Sequence, residues 1–217
     1  MNDATPEAPE RPSADPGDTR TALLEAGRDL FARQGFDGTT VRQLTGEAGV
    51  NLGAVTYHFG SKRALYAAVL DREISPLREA VEELGRQDGT GLERILRVVE
   101  LYFQHLTEHP TLPRLMLQEI AAGRTPPPPV VHGIRTVAGT LARFQKEGEA
   151  DSTVRPGHPT LTALSVISQP VFMNLVMPLA REVVGLDPTT PQQRKALTAH
   201  ATDFVRWGLE PRPEVNP

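Results

Sequence analysis

Residues 40–62 read T-V-R-Q-L-T-G-E-A-G-V-N-L-G-A-V-T-Y-H-F-G-S-K. Thr40 followed by Gln43 fits a capping box, in which a hydroxyl and an amide side chain satisfy the first free N–H groups of a helix. Val41, Leu44 and Ala48 then recur at helical spacing. Gly49 falls where that helix would end in a left-handed residue, and Val50 can plug the inside of the turn. Asn51 is placed to cap a second helix whose apolar side is Leu52 or Val55 with Phe59, and Ser61 to cap a third that Lys62 begins. The stretch is a helix-turn-helix candidate, a unit that lays its second helix in the major groove of DNA.

Working outward, Asp18 or Thr19 can cap a preceding helix with Leu23, Gly27, Leu30 and Phe31 on one face, which Gly35 ends. With A-L-L-E-A-G-R-D-L-F-A-R-Q-G-F before it and Y-H-F-G-S-K closing it, the segment resembles the DNA-binding domain of the tetracycline-repressor (TetR) family of transcription regulators. Many members carry a tyrosine three residues before the phenylalanine. Here Thr56 stands there, and Tyr57 is two before Phe59. The T-Y-H-F variant looks closest to the CecR-like subgroup.

The rest of the chain carries helical periodicity only. Leu65, Val69 and Ile74 continue toward Leu84, with Pro76 expected to kink or interrupt the helix. Helices are expected over 92–109, 112–122 and 130–147, with the prolines at 126–129 as a rigid connector. A long helix bearing Leu161, Leu164, Val171, Phe172, Leu175 and Leu179 is crossed by Pro170 and Pro178, and Pro188 closes the next loop. Thr190, Pro191 and Gln193 give a cap, a first-turn proline and a capping-box partner. Leu197, Ala201, Phe204, Val205 and Gly208 mark the inward face of the last helix. The expected fold is all-α: a proline-rich tail at 1–17, a head at 18–64, a helical body at 65–210 and a short tail at 211–217.

The formal charge is −4, so a DNA binder must concentrate its cations locally, and Arg42, Lys62 and Arg63 are the available cluster. The absence of cysteine excludes disulfides and thiolate metal sites and suits a cytoplasmic protein. No basic-then-apolar leader and no run of about 18 apolar residues is present, so no membrane partner is expected.

Candidate base readers follow from position. Asn51, Leu52, Gly53 and Thr56 lie at the start and outer side of the reading helix, where Leu52 or the Thr56 methyl can meet a thymine methyl. The resemblance adds Arg42 at a position that reaches a base, and Thr40, Tyr57, His58 and Lys62 at positions that hold phosphates. It also implies an effector pocket in the body, for which Tyr102, Phe103, Met116, Phe144, Phe172, Met173 and Met177 are the adaptable apolar candidates.

A rival motif is H-L-T-E-H, His105 to His109, with the His-x-x-Glu-His order of a zinc site; no motif marks a third ligand, although Glu119 is nearby. Pro110 follows at once, and histidine at a helix end is also explained by the free carbonyls there. No nucleophile elbow, phosphate loop or dinucleotide-binding glycine pattern occurs, and no cofactor is implied. His132, His158 and His200 stand alone. The reading is a TetR-like homodimer that binds a palindromic double-stranded operator and is released by a small-molecule effector, with repression the default. A zinc enzyme or metal sensor on His105, Glu108 and His109, or a protein-binding helical adaptor, are the alternatives.

Overall fold

Apolar residues at three- and four-residue spacing give each helix one stripe to bury, and the stripes sort into two cores. The computed structural model describes residues 16–123, 125–187 and 190–212, and among these every regular element is helical. In order they are α1 Pro16–Gly38, α2 Val41–Glu47, α3 Ala54–Phe59, α4 Lys62–Leu84, α5 Gly91–Glu108, α6 Leu112–Ala122, α7 Pro128–Ala150, α8 Pro159–Val184 and α9 Pro191–Leu209. The all-α expectation holds.

The smaller core joins Leu23 and Phe31 of α1, Leu44 of α2, Val55 of α3 and Leu65, Tyr66 and Val69 of α4. Phe31 and Tyr66 meet edge to face, with ring centroids 4.8 Å apart. This head core also takes in Leu115 of α6 and Val130 of α7. The larger core holds Leu77 and Val81 of α4, Ile95 and Val99 of α5, Phe144 of α7, Val166 of α8 and Val205 of α9. Ile74 packs against both. One helix, α4, is thus a beam whose first half belongs to the head and whose second half belongs to the body.

Several local expectations change. Helix α1 already includes Pro16 and Gly17, inside the stretch read as tail, and residues 1–15 and 213–217 lie outside the described residues. Pro188 lies outside them too. The backbone of α1 breaks at Gly35, as expected. Helix α4 runs through Pro76. The proline is exposed, while its neighbours Glu73 and Leu77 are buried against the body, so packing on the opposite side offsets the lost backbone bond. Pro128 and Pro129 are not connector but the first turn of α7, where a missing N–H costs nothing. In α9, Thr190 accepts from Gln193 N–H as read, but the Gln193 amide oxygen accepts from Asp187 N–H.

A second capping box opens α5. Thr90 accepts from Glu93 N–H and Glu93 accepts from Thr90 N–H, so α5 starts at Gly91. Gly91 has a further duty. A Cβ there would lie 2.3 Å from Phe144 O and Gly148 N, so α5 and the end of α7 touch through bare backbone. By length and composition α8 is apolar enough to cross a membrane, although no uninterrupted apolar run signals it. Its apolar residues lie on two opposite faces, and only one packs on the body. Ala163, Val166, Pro170 and Met177 are buried, whereas Leu161, Phe172, Leu179 and Val183 are exposed.

Candidate DNA-reading head and body cavity

The head is assembled from local rules. Gln43 N–H donates to Thr40 Oγ1 (3.2 Å), and Thr40 N–H donates to Gln43 Oε1 (2.8 Å), closing the capping box of α2. Gly49 has φ 67°, a left-handed turn residue where a side chain would be strained. Ser61 accepts from Ala64 N–H at 3.1 Å. Asn51 does not cap α3. Its backbone carbonyl accepts from Ala54 N–H at 3.1 Å, Leu52 and Gly53 form the turn, and Gly53 is the N-cap without a side-chain bond.

Ala54 and Val55 anchor the short α3 in the head core, and this fixes what the helix presents outward. Leu52 is 62% exposed and Tyr57 80%, and Asn51, Gly53, Thr56 and Arg42 are exposed too. Leu52 stands in the turn that leads into α3, and Thr56 and Tyr57 on the helix itself. The Tyr57 ring stands edge-on to half-buried His58, centroids 4.9 Å apart. Two residues expected at phosphates have internal roles. The Thr40 hydroxyl is engaged in the capping box. Lys62 Nζ donates to Phe36 O (2.8 Å) and Thr39 O (2.7 Å) and sits 4.2 Å from the centre of the Phe36 ring. It ties the end of α1 to the start of α4. Arg63 beside it is exposed.

The seven residues expected to line one pocket do not converge. Tyr102, Phe103 and Phe144 are buried in the main core, Met116 and Met173 pack at its edge, and Phe172 is 62% exposed. Met177 lines a cavity. That cavity, about 470 Å³, opens between the end of α5, the start of α6, α8 and the start of α9. Leu106, Leu175, Met177 and Pro113 give it apolar walls, and Arg114, Arg181, Arg194 and Asp187 give it charge. The arginines carry no residue-level signature in the sequence, because they come from three separate helices.

Helix α6 belongs to both regions. Pro113 and Arg114 line the cavity, and Leu115 is buried in the head core. One turn on, Gln118 Nε2 donates to Ala32 O of α1 (3.1 Å), and Glu119 Oε1 accepts from Tyr66 OH of α4 (2.8 Å).

The His-x-x-Glu-His motif is divided by its helix. His105 Nε2–H donates to Glu73 O (2.7 Å), and His109 Nδ1 lies 3.3 Å from the buried Glu73 carboxylate, which also accepts from Thr111. The two rings stack at 4.2 Å. Burial holds the His105 pKa below its ordinary value. Glu108 is exposed and accepts from Gln104 instead, while Glu119 serves Tyr66. No metal-holding group of three such residues occurs among the described residues. The histidines fasten the α5–α6 corner to α4. His132, His158 and His200 are surface residues.

Comparison with known proteins follows the same division. Residues 23–69 match the family model for bacterial regulatory proteins of the tetR family, and residues 92–205 match that of the tetracyclin repressor-like C-terminal domain. The chain belongs to the TetR family. It is a family of transcriptional regulators, not of enzymes. Among its TetR relatives, HTH-type transcriptional regulator RutR of Escherichia coli K12 is 36% identical over 104 residues, 48% of this chain and 49% of that protein. HTH-type transcriptional repressor AcnR of Corynebacterium efficiens is 37% identical over 70 residues, 32% of this chain and 37% of that protein. In these alignments the chain spans about half the length, or less, of the curated relatives it matches. A solved tetR-family regulatory protein from Rhodococcus RHA1 shares the fold with TM-score 0.74 at 17% identity, over 90% of this chain and 98% of that one.

Proposed function

We propose that this TetR-family chain is a ligand-released repressor that binds a palindromic operator as a homodimer in the cytoplasm. The observation that carries the reading is the outward face of the helix-turn-helix. Thr56 and Tyr57 project from a helix pinned by Ala54 and Val55, Leu52 from the turn that leads into it, and Arg42 is exposed on the helix before. An apolar and a hydroxyl side chain suit thymine methyl and base edges, and a guanidinium fork suits guanine. Asn51, Gly53, Tyr57, His58 and Arg63 border the same unit and supply backbone contacts, as does any outward N–H of Lys62.

Dimerisation is supported by the apolar surface that α8 and α9 leave bare. Phe172 and Leu179 of α8 are exposed, and Trp207 of α9 is 76% exposed beside Phe204. Paired with a second copy, two such helices form a four-helix interface, and a two-fold dimer presents its heads to half-sites one or more DNA turns apart. Release is supported by α6, which lines the cavity at one end and holds α1 and α4 at the other. A ligand that binds one setting of α6 better than the other shifts the head spacing by its differential affinity, with several kcal/mol needed for a full switch. The direction, repression, agrees with the printed function of AcnR.

Selection of bound sites from random duplex DNA tests the reading. An inverted repeat is expected, with affinity that falls steeply as salt rises. A monomeric protein without affinity for any duplex at low ionic strength overturns it.

A further inference from the structure

The geometry points to an anionic amphiphile as the effector: a single alkyl or similar apolar body carrying a carboxylate or phosphate head, seated between α6, α8 and α9. The inference takes from the preceding reading only that the body hosts an effector. The cavity is two-toned. Leu106, Leu175 and Met177 form an apolar floor, Met177 being buried. Arg114, Arg181 and Arg194 line its rim together with Asp187, whose Oδ2 lies 3.4 Å from Arg181. The volume, about 470 Å³, lies within the range of small-molecule sites.

Charge balance selects the ligand's sign. With Arg181 paired to Asp187, the exposed Arg114 guanidinium leaves a cationic rim that repels ammonium ligands and holds an anion by charge-assisted, paired N–H bonds. Placement selects the ligand's shape. Leu106 belongs to α5, and Met177 lies on the body-facing side of α8, the side opposite exposed Phe172 and Leu179. An alkyl chain laid on Leu106 and Met177 therefore stays clear of the surface assigned to the second copy. Arg114 sits in the first turn of α6, four residues before Gln118 and its bond to Ala32. An anion clasped by Arg114 and by Arg181 of α8 bridges the head-holding helix to the body.

Four probes of equal chain length test this by calorimetry below their micelle concentrations: octanoate, octyl phosphate, octanol and octyltrimethylammonium. At least one anion is expected to bind about tenfold or more tightly than octanol, the worth of one hydrogen bond to a charged group, and the cation least of all. The ratio of octanoate to octyl phosphate identifies the head group. The double variant Arg114→Gln/Arg181→Gln changes exposed side chains only. It is expected to keep the wild-type melting temperature and lose the preference of anion over alcohol. Equal binding of octanol and both anions, or an unchanged preference in the folded double variant, overturns the inference. Operator binding by ligand-free protein is scored separately. Its absence with the anion preference intact removes the repressor and leaves this site standing; its presence without that preference does the reverse.

Discussion

Tyr66 of α4 donates its hydroxyl to the Glu119 carboxylate of α6 at 2.8 Å, and both side chains are buried. The bond spans 53 residues of sequence and joins the beam shared by head and body to the helix that lines the cavity. Tyr66→Phe keeps the ring and its edge-to-face contact with Phe31 and removes only this donor. The expected loss is about 1–3 kcal/mol of stability. Urea unfolding checks it, and operator release by an effector should weaken in the same variant.

Lys62 is a second link of this kind, within the head. Its ammonium takes two carbonyls at the end of α1, so Lys62→Met should cost about 2 kcal/mol of stability, the scale of a hydrogen bond from a charged group. Thermal unfolding measures this. Loss of operator affinity without loss of stability would assign the residue to phosphate instead.

Arg42 behaves oppositely. It is exposed, so Arg42→Ala should leave stability within about 0.5 kcal/mol. Preference at one base pair of each half-site should fall by about 1–3 kcal/mol, read by comparing affinities for single-base variants of the selected operator.

Acid should loosen the corner between α4 and α5. Burial depresses the pKa of His105 below 6.5, so between the folded and unfolded values the unfolded chain binds more protons. The stabilisation from neutral His105 is complete above about pH 6.5 and fades as pH falls through the folded value. The facing groups are the Glu73 carbonyl and carboxylate, the stacked His109 ring and, more remotely, Glu108. Unfolding free energy measured from pH 7.5 to 5 should decline, and less so in His105→Gln.

Trp207 and Phe172 test the assembly. A charge placed in a buried interface without a partner is costly, so Trp207→Glu with Phe172→Glu should convert a dimer to monomers in sedimentation. Intrinsic folding should persist, since both side chains are exposed in the single chain.

What the sequence determined by itself depends on neighbours within a turn, the Asn51 cap excepted. The Thr40–Gln43 capping box, the left-handed Gly49, the Ser61 cap and the helical stripes are local chemistry, and each stands where periodicity and residue type put it. T-G-L-E at Thr90 carried the same signal and went unread. Tertiary structure alone decided where long polar side chains end. Lys62 finds carbonyls 26 and 23 residues away, His105 and His109 both turn to Glu73, and Arg114, Arg181 and Arg194 gather at one cavity. Of the apolar residues expected at a pocket, Tyr102, Phe103 and Phe144 went to the core instead, because periodicity says which face of a helix is buried but not against what. That partner is set by helix packing, which brings distant groups within hydrogen-bonding reach and leaves no trace in the spacing along the chain.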